Sequence, residues 1–439
     1  MLGDLALDFL LSDGTVCKTI VLAGENGTGK STILSSISSF LAGRSFLNFE
    51  FIEYEVEGVV YKVIPDPKAD AAYRPEGSSV CVELDGKAIL TLSADTPGPL
   101  IGAALDPLDL RRFGSAYSKA KVDFRAGAIT STTSIELDSP VNPIEDGEDF
   151  TVLKQLLVNT SSRDAADYAR ENQTREGSPI AWPDFYATSR MYRFSAAFNG
   201  FFDALKFEGV RESAGEKVIQ FKKNGKEIGI DSLSTGEKQV VFRGAYLLRN
   251  LGAIKDGAIF VDEPELSMHP KWQRKILGYY EGLFTIAGEQ SAQLFFATHS
   301  DHVVREAFLG TETIVITLER EAGVLLAKNH EDASSVLELT SAQINYKAFD
   351  LPSVDFHIEL YGKLQLKASS SSIKGCDSFI AGHASYDAAR HGKPSSHGST
   401  TYETLPTYVR NAIHHPDGGN VYSEPELRVS IELMVQMLG

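Results

Sequence analysis

The chain has 439 residues, 43% of them hydrophobic and 23% charged, and 59 Asp and Glu against 42 Lys and Arg leave a formal net charge of −17. A chain of this length buries one large core plus one or two appendages. So acidic a balance excludes a blanket nucleic-acid binder, while a local basic patch for DNA or RNA stays open.

Residues 19–23 (Thr-Ile-Val-Leu-Ala) are a short apolar run rich in β-branched side chains, the pattern of a buried parallel strand. Residues 24–32 then read Gly-Glu-Asn-Gly-Thr-Gly-Lys-Ser-Thr, which is the phosphate-binding form G-x-x-x-x-G-K-[ST]. Ile33, Leu34, Ile37, Phe40 and Leu41 follow at helical spacing, with Gly43 as the stop. From about residue 50 to 130 a small antiparallel layer is expected: 49–62 alternates, and 79–84 and 88–92 flank the hairpin signal Asp85-Gly86. Residues from about 150 to 210 turn helical, with Leu153, Leu156, Leu157, Phe194, Phe198, Phe201, Phe202 and Leu205, before a hairpin around Asn224-Gly225. The apolar strands 258–261 and 294–297 enclose a helix over 270–283, a crossover unit. Another strand at 313–318 has its hairpin partner at 323–326. Further on, 350–365 reads as a helix bridging head and tail, and the Ser-, Gly- and His-rich stretches 368–372 and 391–401 are expected to be mobile. Ser423 and Glu426 form a capping box for a last helix with Leu427, Ile431, Met434, Val435 and Leu438 along one face.

A triphosphate is a dense anion for which water competes. A loop of inward-pointing N–H groups at a helix N-terminus supplies donors and a favourable dipole together. Gly24, Gly27 and Gly29 let the backbone approach; Lys30 is placed for the β- and γ-phosphates and Ser31 for Mg²⁺. Glu25, Asn26, Thr28 and Thr32 complete the loop expected to bind ATP. Asp262 and Glu263 end a strand beside the loop mouth: Asp262 is placed to hold Mg²⁺ and Glu263 to act as general base toward water. The bland alternative is a pair of caps for the next helix. His299 follows the strand 294–297 and is placed to sense the γ-phosphate. Residues 233–239 read Leu-Ser-Thr-Gly-Glu-Lys-Gln, so Ser234, Gly236 and Glu237 stand at a second anion-friendly helix start. One nucleotide already has its loop; a second such start makes sense if it completes the site of another subunit.

These four motifs resemble ABC-class ATPase heads, in the branch shared with chromosome-maintenance proteins, OLD-family nucleases and the anticodon-nuclease ATPases PrrC and RloC. That branch shows Leu-Ser-x-Gly-Glu-[Lys/Arg]-Gln and Asp-Glu-Pro-Glu-x-x-[Leu/Met]-His-Pro, the latter here at 262–270. The resemblance covers roughly 15–45 and 230–320. It implies an α/β P-loop head, a mixed sheet with helices plus an antiparallel β layer, and an ATP-sandwich homodimer in which Lys30 and the other copy's Ser234 hold one nucleotide. It also implies antiphage defence, with ATP controlling a nuclease or toxin, either the chain's own tail or a partner subunit as in Septu-like systems. The usual Mg²⁺-linking glutamine has no evident counterpart, and the 44–230 insertion lacks the heptads of a long arm. On this basis 1–340 is the head, containing the 44–230 insertion, and 341–439 a helical, partly mobile C-terminal domain.

Within the tail, Arg410-Asn411-x-x-x-His415 resembles the R-N-x-x-x-H motif of HEPN ribonucleases, with Arg410 and His414 four apart on one helix face. A metal-free RNA cleavage is one reading; a tail whose Arg and His bind carboxylates, and a metal site, are the others. A DNA-maintenance head and a non-catalytic scaffold assembled by ATP are the rival functions. Cys17, Cys81 and Cys376 fit no disulfide or metal pattern, the N-terminus has no secretory signature, and no apolar run reaches the roughly 18 residues of a membrane helix. A cytoplasmic protein without a membrane partner is therefore expected.

Overall fold

A computed structural model describes residues 5–41, 50–56, 58–65, 79–93, 114–120, 150–175, 177–213, 215–248, 256–286, 288–321, 324–330, 340–370, 372–397, 399–416 and 419–438. The predicted stop at Gly43 lies outside them. The chain divides into two compact units, Met1–Ala333 and Ser334–Gly439.

The first unit is built on a six-stranded sheet: β1 (Thr19–Gly24), β2 (Ser115–Ser118), β3 (Ala258–Asp262), β4 (Gln293–Thr298), β5 (Thr313–Glu321) and β6 (Val324–His330). The order is β6-β5-β1-β4-β3-β2, with β5 and β6 antiparallel and every other pair parallel. All residues of β1 and β3 are buried, as continuous apolar runs in a parallel sheet require. Helix α1 (Lys30–Leu41) packs Ile33 and Leu34 against Ile20, Leu22, Phe260 and Phe295. Residues 115–118, expected in the antiparallel layer, instead pair with β3 as the sheet edge; Tyr117 faces the core there. The layer itself is a separate four-stranded sheet, Ile52–Val56, Val59–Pro65, Ser79–Leu84 and Lys87–Ser93, closed at Asp85 and Gly86 with φ of 51° and 73°.

Helices Phe150–Thr174 and Arg190–Phe201 precede a three-stranded sheet, Leu205–Ser213, Glu216–Lys223 and Lys226–Gly229. Leu205, expected within the helical stretch, begins a strand, because Phe202 caps the helix in an extended conformation. Phe194, Phe198, Phe202, Phe207 and Phe221 stack between helix and sheet with ring centroids 4.8–5.6 Å apart. Helix α2 (Thr235–Leu248) follows. The helix expected over 270–283 is two pieces, Pro270–Gln273 and Ile276–Leu283.

The second unit is a helical cluster. Ser341–Phe349 ends at Asp350 in the left-handed conformation, and Val354–Lys367 starts anew. The second helix, expected to bridge head and tail, puts Phe356, Leu360, Tyr361 and Leu364 into this unit's own core with Val409, Ile431 and Met434. The stretch expected to be mobile is an antiparallel hairpin, Gly392–His397 with Thr400–Thr404, and Ser372 caps the helix Ile373–Ala381. Helix α3 (Leu405–His414) and the helix Glu424–Leu438 complete it. Glu426 accepts from the N–H and hydroxyl of Ser423, the expected capping box, while Val435 is exposed rather than on the buried face.

His357 is fully buried here, its Nε2 2.9 Å from the Ser430 hydroxyl. Burial, with His414 nearby, pulls its pKa down to about 3. A folded pKa below the unfolded value gives stability that is complete above about pH 6.5 and lost as the pH falls toward 3. Going from pH 7 to 5 should cost this unit about 2 kcal/mol, and His357→Gln should flatten that dependence. Denaturation followed by hydrogen exchange in 341–438 reads the effect; equal slopes in both chains would contradict it.

Candidate active site

The register of the parallel strands decides which loops meet. Ala23 lies beside Thr298, and Asp262 beside Ala297, so the ends of β1, β4 and β3 open at one level. The phosphate-binding loop leaves β1 at Gly24, whose φ is 153° and where a Cβ would come within 2.5 Å of the Leu318 carbonyl. Only glycine fits that close approach. Glu25, Asn26 and Gly27 are exposed, whereas Thr28 is buried and its hydroxyl donates to the Glu25 carbonyl at 2.8 Å, closing the loop on itself. Gly29 passes the chain into α1, and Ser31 and Thr32 stand exposed on its first turn.

Lys30 is 6% exposed and donates to the carbonyls of Gly24 at 2.7 Å and Glu25 at 2.9 Å. Burial lowers its pKa, against the pull of Asp262, Glu263, Glu265 and Glu25. The loop lysine and the carboxylates of the β3 end therefore share one electrostatic neighbourhood.

Asp262 is 7% exposed, and its Oδ1 is buried with no hydrogen-bond partner. The Tyr117 hydroxyl lies 3.4 Å from its Oδ2 and 3.5 Å from the Ser31 carbonyl, standing between loop helix and carboxylate. Burial and Asp262 together raise the phenol's pKa, so it stays a donor. An orphaned carboxylate oxygen on Asp262, whose other oxygen is linked through Tyr117 to the first turn of α1, fits a hard divalent cation such as Mg²⁺. Among the described residues no group of three or more His, Cys, Asp or Glu could hold a metal alone, so the remaining oxygens would come from phosphate and water.

Glu263 adopts φ 45° before Pro264, a conformation that an L-residue ahead of proline avoids and that costs on the order of 1–3 kcal/mol. Three bonds hold it: its N–H donates to the Ala297 carbonyl at 2.9 Å, and its carbonyl accepts from Leu266 N at 3.1 Å and from Arg243 Nη1 at 3.0 Å. His299 Nδ1 lies 3.7 Å from Glu263 Oε1 and 3.5 Å from Glu265 Oε1, and the imidazole is 44% exposed. Lys30, Asp262, Glu263 and His299 thus come together at the strand ends.

Glu265 and Arg243 were not picked out from the sequence. Glu265 is buried; its Oε1 accepts from the Thr298 hydroxyl at 2.6 Å and from His299 N at 3.1 Å, tying the β4 end to the β3 turn. Burial raises its pKa, opposed by Thr298 and His299. The second glutamate of Asp-Glu-Pro-Glu was the available signal.

Ser234 stands apart, exposed at the cap of α2 and bonded to neither Lys30 nor the β3 carboxylates among the described residues. Its N–H and hydroxyl donate to Glu237 Oε2 at 2.8 and 2.9 Å, and Lys223 Nζ reaches Glu237 Oε1 at 2.8 Å. Glu237 is buried in this cap rather than open to solvent. Gly236 is buried, and a Cβ there would meet the Ser267 carbonyl at 2.7 Å, so glycine serves close helix–loop packing. In the second unit, Arg410 donates to Asn411 Oδ1 at 3.0 Å, and exposed His414 and His415 close α3.

A phosphate loop on a central parallel strand, with paired carboxylates ending a strand of the same sheet, defines a mixed α/β P-loop NTPase head with a helical C-terminal region. A family model described as "AAA domain, putative AbiEii toxin, Type IV TA system" matches residues 142–305. The chain is 25% identical over 322 residues to the Septu protein PtuA of Bacillus thuringiensis, covering 69% of this chain and 71% of that protein. It is 28% identical over 137 residues to the Retron Vc95 probable ATPase of Vibrio cholerae serotype O1 biovar El Tor, covering 28% and 26%. Among solved structures it is similar to an Smc head bound to the C-winged helix domain of ScpA, at 12% identity and TM-score 0.38 over 73% of this chain and 92% of that one. The SMC head domain from Thermotoga maritima aligns at 16% identity and TM-score 0.32 over 72% and 91%.

Glu265→Gln keeps an acceptor for Thr298 and His299 and should cost less than about 1 kcal/mol, whereas Glu265→Ala leaves both donors unpaired and should cost about 3 kcal/mol. Thermal or denaturant unfolding of the two variants checks this; equal losses would contradict it.

Proposed function

We propose that the chain is an ATPase that closes into a homodimer around ATP and uses that state to control a nuclease effector. The observation that carries this is the convergence of Lys30, Asp262 with its orphaned oxygen, Glu263 and His299 at the ends of three adjacent parallel strands. Lys30 and the loop amides grip the β- and γ-phosphates. Asp262 and Ser31 would hold Mg²⁺, which when bound would neutralise charge on the phosphates. Glu263 takes a proton from the attacking water, and His299, poised between two glutamates, donates a hydrogen bond toward the γ-phosphate. Exposed Ser234, at a helix N-terminus outside this cluster, supplies the γ-phosphate contact to the other copy.

The setting in antiphage defence rests on motif resemblance and on similarity to the Septu and retron proteins. The effector is a separate partner or the tail itself. Arg410 and the exposed His414 and His415 at one helix end are what favour the tail. Nucleic acid enters this scheme as the effector's substrate.

Glu263→Gln should cut turnover by about 100-fold or more while ATP binding persists, so that ATP accumulates dimers visible by light scattering. Ser234→Arg in that background should keep the chain monomeric. Unchanged turnover in Glu263→Gln would overturn the catalytic assignment. Separately, joint Arg410→Ala and His415→Ala should abolish RNA cleavage or toxicity if the tail is the effector; unchanged activity assigns the effector to a partner.

A further inference from the structure

Arg243 lies on α2, the helix that Ser234 caps, and is 3% exposed. Its guanidinium makes three hydrogen bonds, all to backbone carbonyls: Nη1 to Glu263 at 3.0 Å, Nη2 to Asp262 at 2.8 Å, and Nη2 to Lys119 at 2.6 Å. Asp262 is the last residue of β3 and Lys119 the first beyond β2. One side chain therefore clamps the ends of two neighbouring strands to the body of α2. A buried guanidinium is costly unless its donors are matched. Both terminal nitrogens of Arg243 are bonded, whereas its Nε is buried without a partner, and a planar fork spans three acceptors where an ammonium cannot.

The Nη2 bond to the Asp262 carbonyl holds the Asp262–Glu263 peptide from one side, and the Glu263 N–H to Ala297 bond holds it from the other. Glu263, the second residue of that peptide, is the one at φ 45°, and its Oε1 lies 3.7 Å from His299 Nδ1. An α-helix is a stiff rod, so a displacement at its N-terminal cap is felt along the same helix at Arg243.

Building on the ATP-closed dimer above, we propose that Arg243 is a positioning residue that couples the two half-sites. Engagement of Ser234 with the other copy's γ-phosphate seats α2, and the guanidinium passes that seating to the Asp262–Glu263 turn of its own site. Arg243 acts through the backbone carbonyls that it holds, not on the reacting atoms.

The test is ATP turnover by the full chain over a range of ATP concentrations, alongside ATP-driven association. Arg243→Lys should lower kcat by about 100-fold with KM for ATP within about threefold and dimerisation intact, since placement rather than binding is lost. Arg243→Ala should regain part of kcat on addition of guanidinium ion. Undiminished kcat in Arg243→Lys, or a rise in KM that matches its loss, would overturn the proposal. Where those variants do not fold, hydrogen exchange is measured in Glu263→Gln. ATP should slow exchange at residues 262–266, and adding Ser234→Arg should remove the slowing; equal slowing in both overturns the coupling. A wild-type chain that neither hydrolyses ATP nor associates with it overturns the underlying dimer as well, which distinguishes the two failures.

Discussion

The register of three parallel strands is the constraint on which the site depends. With Ala23 beside Thr298 and Asp262 beside Ala297, the three strand ends open at one level. Lys30 there feels Asp262 and Glu263, and His299 Nδ1 lies 3.7 Å from Glu263 Oε1. A shift of one residue in β3 would turn Asp262 to the opposite face and bring Val261 or Glu263 to the loop. The uninterrupted apolar runs of β1, β3 and β4 fix that register, because both faces of the sheet are packed.

Packing alone would not hold so many charges at a strand end. Lys30, Asp262, Glu265 and Arg243 are all buried there, and isolated charges in such a place are strongly disfavoured. The solution is a shared set of backbone and side-chain partners. Lys30 donates to two loop carbonyls, Arg243 to three, and Glu265 accepts from Thr298 and His299. Two carboxylate oxygens of this cluster, Asp262 Oδ1 and Glu265 Oε2, are buried without a hydrogen-bond partner, and the first is where a cation would act. Strain at Glu263 is kept by the same partners, so the geometry of the candidate site and the local stability have a common cause.

Much of this was legible in the sequence because it is local. The loop 24–32 carries its glycines, lysine and hydroxyl in one run, the Asp-Glu pair ends an apolar run, and Asp85-Gly86 and Asn224-Gly225 dictate their turns through left-handed residues. What was missed is non-local. Residues 115–118 look like any short strand, and only pairing with β3 puts Tyr117 between Ser31 and Asp262. Arg243 sits in a helix where one more basic residue is unremarked until its acceptors are seen. The Ser- and Gly-rich stretch around 392–404 folds because Asp377 accepts from Glu403 N and from the N–H and hydroxyl of Thr404, a contact invisible to composition.

The central claim is that each nucleotide is gripped by the lysine of one copy and the serine of the other. Complementation tests it most directly. Lys30→Met and Ser234→Arg are each prepared as inactive chains, and their ATP turnover is measured apart and after mixing. A mixed dimer contains one intact composite site, so mixing should restore roughly a quarter of the wild-type rate. A mixture no more active than its separate components would contradict the shared site.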